Sequence, residues 1–141
     1  LLPHDPPTDK EVHQAREWVA RETKAAISGM NNYQTATFVG TAGTITSLAA
    51  MAQKLSAYEP ARIHHYKLQL ETIQELEQTL LSRKKADRTG LLGLEKGREE
   101  VIAAGAIIIR TIMETLGMPS VLVSNLGLRE GVLIDLARRT G

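Results

Sequence analysis

A short apolar, β-prone run at residues 36–39 passes directly into Gly40-Thr41-Ala42-Gly43-Thr44-Ile45-Thr46, then into an Ala- and Leu-rich stretch ending near Leu55. This reads as strand, Gly-x-x-Gly turn, helix, which commits this part of the chain to an α/β arrangement. The two glycines allow positive φ and a close backbone approach with no Cβ in the way. The free N–H groups of the helix's first turn point into the same space, with the positive end of the helix dipole. Thr41, Thr44 and Thr46 add hydroxyl donors. The physical product is a phosphate cradle at the C-terminal end of a strand. The same connection also serves as a plain tight turn. No Gly-Lys-Ser/Thr ending follows, so this is not a Walker-type loop.

The rest of the chain bounds the possibilities. At 141 residues it is one ordinary domain with room for a core. Apolar content of 43% and charged content of 23% are those of a soluble globular protein. Seventeen Lys and Arg against sixteen Asp and Glu leave a net charge of +1, so affinity for polyanions must come from local placement. There is no cysteine, hence no disulfide scaffold or thiolate chemistry, and a cytoplasmic location is expected. The longest apolar run, residues 101–109, is about half of what a bilayer-spanning helix needs. Neither a membrane nor nucleic acid is expected as a partner. Leu1-Leu2-Pro3 opens without Met, which suggests a piece of something larger.

Thr8-x-x-Glu11 after Pro6-Pro7 is a capping box for a helix to about Met30, ended by Gly29 and Asn31-Asn32. Val12, Ala15, Trp18, Val19, Ala26 and Ile27 form its apolar face, with Lys10, Arg16, Glu17 and Arg21 in water. Pro60 breaks the chain, and an amphipathic helix is expected over residues 66–84. Residues 86–96 read as loop, and residues 98–116 as a helix apolar on almost every side, closed by Gly117. Val121-Leu122-Val123 is a short strand of the buried parallel kind, and a last helix spans about 128–139.

Several blocks resemble the exopolyphosphatase/guanosine pentaphosphate phosphohydrolase family (Ppx/GppA). Gly40-Thr41-Ala42-Gly43-Thr44 is similar to its second phosphate motif, usually Gly-Thr-Gly/Ser-Gly-Thr. His65-Tyr66-Lys67-Leu68 resembles a His-Gly/x-Tyr-x-Leu segment. Gly97-Arg98-Glu99-Glu100-Val101-Ile102, with Gly105-Ala106, resembles Arg-Ala-Asp-Val-Ile-x-x-Gly-Ala. Val123-Ser124 with Gly127-Leu128-Arg129-Glu130-Gly131 matches the family's ending, and Asp5-Pro6-Pro7-Thr8 sits where many members have a similar stretch.

The resemblance implies the later half of a ribonuclease H-like (actin/sugar-kinase-like) α/β domain, with two parallel strands, flanking helices, and the upstream strands missing. The strand at 36–39 would then have an open edge, and a homodimer is the expected way to cover it. The implied reaction removes a terminal phosphate from polyphosphate or guanosine pentaphosphate with Mg²⁺, whose ligands and catalytic Glu would lie upstream of Asp5. Gly40, Thr41, Ala42, Gly43, Thr44 and Arg98 would bind phosphate, and the fragment alone would be inactive.

Arg98 either pairs with Glu95 or Glu99 at a surface turn or forks a phosphate oxygen pair. The family block around it favours the second. Glu100, where the family has Asp, either orients Arg98 or serves the helix dipole. His64 and His65 are adjacent and cannot face one metal ion together, so His65 is expected to support the cleft wall structurally. Arg129 either pairs with Glu130 or sits near the ligand side of the strand ends. Arg83-Lys84-Lys85 with Arg88 either solvate a helix end or guide a polyanion. A non-catalytic phosphoryl-binding or self-associating module of the same fold is the alternative. A kinase of the same superfold fits the Arg98 and Gly127 blocks less well.

Overall fold

The computed structural model describes residues 2–30 and 33–140, so the expected helix stop at Asn31-Asn32 lies outside it. Helix α1 covers Asp9–Ala26 and starts as the capping box requires. The Thr8 backbone N–H donates to Glu11 Oε2 at 2.7 Å, and Glu11 N–H returns a bond to Thr8 Oγ1 at 3.4 Å. The helix ends at Ile27, short of Met30. Val12, Ala15 and Val19 are buried, and Val12 and Ala15 form a small core with Ile107, whereas Trp18 stays 45% exposed.

Three strands form a mixed sheet in the order β1-β3-β2, where β1 is Val39–Thr41, β2 Lys67–Gln69 and β3 Ser120–Ser124. The parallel pair is the expected one, with Gly40 opposite Val123, although β1 starts three residues later than expected and follows a 3₁₀ turn at Tyr33–Thr35. The third strand corrects the expectation of a helix from Tyr66. His65, at φ 64°, turns the chain so that its N–H reaches Val123 O at 2.8 Å, and Leu68 then lies fully buried opposite Val121. Three residues are too few to show strand alternation, and Leu68/Leu70 fits either period. β1 is an outer strand, as expected, with Val39 53% exposed.

The main core lies between this sheet and helices α2 (Gly43–Ala52), α4 (Leu70–Leu81) and α6 (Ile102–Leu116). Leu48, Leu68, Ile73, Leu80, Val121 and Val123 are fully inaccessible there. Two short helices were not expected: α3, Pro60–Ile63, where Pro60 starts a turn it was expected to break, and α5, Lys85–Arg88. Helix α6 packs against α1, α2 and α4 but leaves Ile108 and its cap residue Val101 exposed, so it is not buried on every side. Gly117, at φ 66°, closes it in the left-handed conformation. The last helix, α7 at Leu128–Thr140, has no buried residue.

Arg16 departs from the surface position expected of it. Its Nη2 donates to both carboxylate oxygens of Glu77 at 2.9 Å, and Arg110 Nη1 also binds that carboxylate. Arg110 Nε continues to Glu114 at 2.8 Å. Glu77 is fully buried, so α1, α4 and α6 are joined through one anion held by two cations. Among the described residues, no helix is long and apolar enough to cross a membrane.

Candidate functional site

β1 ends at Thr41, and α2 begins at Gly43 with Ala42 as its cap. Ala42 has φ 73° and ψ −179°, a conformation otherwise almost confined to glycine. The sequence assigns the positive φ to Gly40 and Gly43. The structure places it on Ala42 and uses the glycines for closeness instead. A Cβ on Gly40 would lie 2.9 Å from Ile45 Cγ1 and 3.0 Å from Val121 Cγ2. A Cβ on Gly43 would overlap Arg98 Nη1 and lie 2.8 Å from Nη2.

Ala42 offers no side chain to cap α2, so the N–H groups of its first turn have no side-chain acceptor. The expected hydroxyl donors are largely spoken for. Thr41 Oγ1 donates to Leu126 O at 2.7 Å, and Thr46 Oγ1 bonds the carbonyls of Ala42 and Gly43 at 3.2 Å each. Thr44 faces α6, where a Cβ on Gly105 would come within 2.5 Å of its Cγ2. The donors that remain are backbone N–H groups and Arg98.

Arg98 sits in the turn before α6, and its carbonyl accepts Ile102 N–H at 3.0 Å. Its Nε donates to Glu95 Oε2 at 2.6 Å, which leaves both Nη groups against Gly43. Arg98 and the α2 N-terminus face one open cleft of about 520 Å³, bordered by Thr41, Thr46, Tyr58 and Asn125 and by the start of α7. Two positive groups thus converge where the Cβ of residue 43 is missing. That arrangement suits an anion with several oxygens.

The remaining candidates are dispersed. Arg129 reaches the cleft rim, 93% exposed and 3.9 Å from Glu130. Glu130 accepts Gly127 N–H at 2.8 Å, and the backbone N–H groups of Gly127 and of Glu130 itself hold its carboxyl below the usual range. Glu100 does not orient Arg98. Its carboxylate accepts from Lys85 Nζ at 2.6 Å, a contact that lowers the Glu100 pKa and raises that of Lys85, beside a separate cavity lined by His4 and Asp5. The ring of His65 is exposed and tilted against His64, outside the cleft lining. Arg88 leaves the basic patch altogether. It is buried and donates to the carbonyls of Leu80, Arg83 and Glu99.

Tyr58 and Asn125 line the cleft without having been singled out in the sequence. Asn125 had a usable signal, because it directly follows the C-terminal end of β3. Tyr58 lies in a loop with no local pattern.

The chain matches the Ppx/GppA phosphatase family over residues 1–140. It is 34% identical over 140 residues to Exopolyphosphatase 2 of Mycobacterium tuberculosis, covering 96% of this chain and 44% of that protein. It also shares 28% identity over 114 residues with a bifunctional 3-dehydroquinate synthase/phosphatase of Fusobacterium nucleatum, 79% of this chain and 16% of that one. The crystal structure of the Aquifex aeolicus Ppx/GppA family member superposes with a TM-score of 0.89 at 30% identity, over 99% of this chain and 44% of that chain. The type II variant of the Aquifex phosphatase gives 0.86 at 31%, over 95% and 43%. The chain thus spans less than half the length of these relatives. Its α/β framework is that of the actin/sugar-kinase-like ATPase fold, and the chain belongs to the Ppx/GppA phosphatase family.

Proposed function

We propose that this chain forms the phosphate-binding wall of a hydrolase that removes a terminal phosphoryl group from polyphosphate or guanosine pentaphosphate. The observation that carries the reading is the convergence of the uncapped α2 N-terminus and the Arg98 fork at Gly43. During phosphoryl transfer, charge spreads over the transferred group's oxygens, and fixed donors aimed at them lower the barrier. Gly43, Thr44 and the following N–H would serve one side, with Arg98 bracing the other. Gly40 allows the close packing of Ile45 and Val121 that sets the turn, Thr41 ties it to the β3–α7 loop, and Ala42 leaves the helix end open.

Among the described residues, no cluster of three or more His, Cys, Asp or Glu could hold a metal ion. Of the cleft carboxylates, Glu95 is paired with Arg98 and Glu130 with Gly127. These residues do not fit a Mg²⁺ site by themselves, and a Mg²⁺ ion serving the proposed reaction would need ligands from the rest of the complete enzyme. Phosphate release by the chain alone is accordingly expected to be nil. A cytoplasmic setting and a homodimer, formed at the open β1 edge and exposed α7, complete the proposal. A monomer at every concentration in sedimentation would remove the dimer.

Gly43→Ala tests the reading directly. The new Cβ displaces the half-exposed, flexible Arg98 side chain and not the backbone, so folding is kept while both donor sets are disturbed. In the complete enzyme, turnover should fall by about a hundredfold, the scale of losing one transition-state donor. Unchanged turnover in a folded variant would reduce the turn to a connector.

A further inference from the structure

We propose that Glu95 is a positioning residue for Arg98, selecting which edge of the guanidinium meets the bound phosphoryl group. The assignment rests on the phosphate reading of the cleft and goes beyond it. Glu95 Oε2 takes only Nε, at 2.6 Å, and so leaves Nη1 and Nη2 together against Gly43. The contrast with Arg16, whose Nη2 is spent on both oxygens of Glu77, shows what a competing carboxylate would otherwise do. Arg98 N–H also bonds Glu95 O at 3.2 Å, so the two residues share one turn.

That turn is registered against the same helix that supplies the N–H donors. Gly93, at φ 83°, lies so close to the Ala50–Met51 backbone of α2 that a Cβ there would overlap it. Neither neighbouring acid can replace Glu95. Glu99 accepts Gly97 N–H at 2.7 Å, and Glu100 is bound to Lys85. The pair is half-exposed, at 36% and 41%, so it adds little to stability, and its loss should be felt in binding.

The test is calorimetric titration of the full chain with inorganic tripolyphosphate, using Glu95→Ala, Glu95→Gln, Arg98→Ala and the Glu95→Ala/Arg98→Ala double variant, each with its urea midpoint. Glu95→Ala should weaken binding about three- to tenfold, the scale of ordering one long side chain anew. Glu95→Gln keeps an oxygen for Nε and removes a charge that repels the ligand, so its affinity should equal or exceed wild type. In the Arg98→Ala background, Glu95→Ala should add no further loss, and all midpoints should coincide. Losses that simply add, or wild-type affinity in Glu95→Ala beside weak binding in Arg98→Ala, would overturn the assignment alone. Wild-type affinity in Arg98→Ala would overturn the phosphate reading and the assignment with it.

Discussion

Replacing Ala42 by glycine should stabilise the protein, against the usual sense of that change. Ala42 holds φ 73° and ψ −179°, and such a conformation costs a residue with a Cβ about 1–3 kcal/mol. Glycine removes that cost but frees the unfolded chain, which offsets about 0.4–1 kcal/mol. The Ala42 side chain is exposed, so no buried methyl is lost. The balance is a gain of about 0.5–2 kcal/mol. With a urea slope of about 2 kcal/mol/M, the midpoint should rise by about 0.3–1 M at constant slope. Ala25→Gly is the matched control, since Ala25 is an exposed α1 residue where the same change should cost up to about 1 kcal/mol. Equal destabilisation by both would show that the turn is unstrained and that the argument from its dihedrals is wrong.

Two further outcomes follow from the charge networks. Glu77→Ala leaves Arg16 and Arg110 converging on a buried, unpaired position, and should cost about 3 kcal/mol by urea denaturation. A loss below half of that would mean that both arginines escape freely to water. The Glu11 carboxyl, bonded by His4 and then by Thr8, has its pKa lowered from 4.5 to about 2. A depressed folded-state pKa gives stability that is complete above 4.5 and disappears as the pH falls through about 2. The stability difference between wild type and Glu11→Gln should therefore be largest near neutral pH and shrink on acidification through that window, and a difference independent of pH would refute the assignment.

What the sequence made legible was local and periodic. The Thr8/Glu11 capping box, the Gly117 stop and the strand–turn–helix at Gly40 to Thr46 are each fixed by residues within a few positions of one another; the first two form as expected, while the third forms with a later strand and with its positive φ on Ala42 and not on the glycines. β2 was missed because it exists only through pairing with β3, some fifty positions away, with no pattern of its own. Arg16, Glu77 and Arg110 look like ordinary surface charges along their own helices, and only the packing of α1, α4 and α6 brings them together. At the site, Gly43 and Arg98 were legible as candidates, but their contact was not. Glu100 shows the limit from the other side. Its place in a recognisable block suggested support for Arg98, while the turn before α6 points it to Lys85.

The proposed anion site lies where the first turn of α2 meets Arg98. Titrating ¹⁵N-labelled protein with pyrophosphate tests it residue by residue. Saturable shifts are expected in the amides of Gly43, Thr44 and Ile45 and in the Arg98 side-chain N–H groups, with the amide shifts lost in Arg98→Ala. Shifts confined to exposed cations such as Arg83 and Lys84, with the α2 amides unmoved, would contradict it.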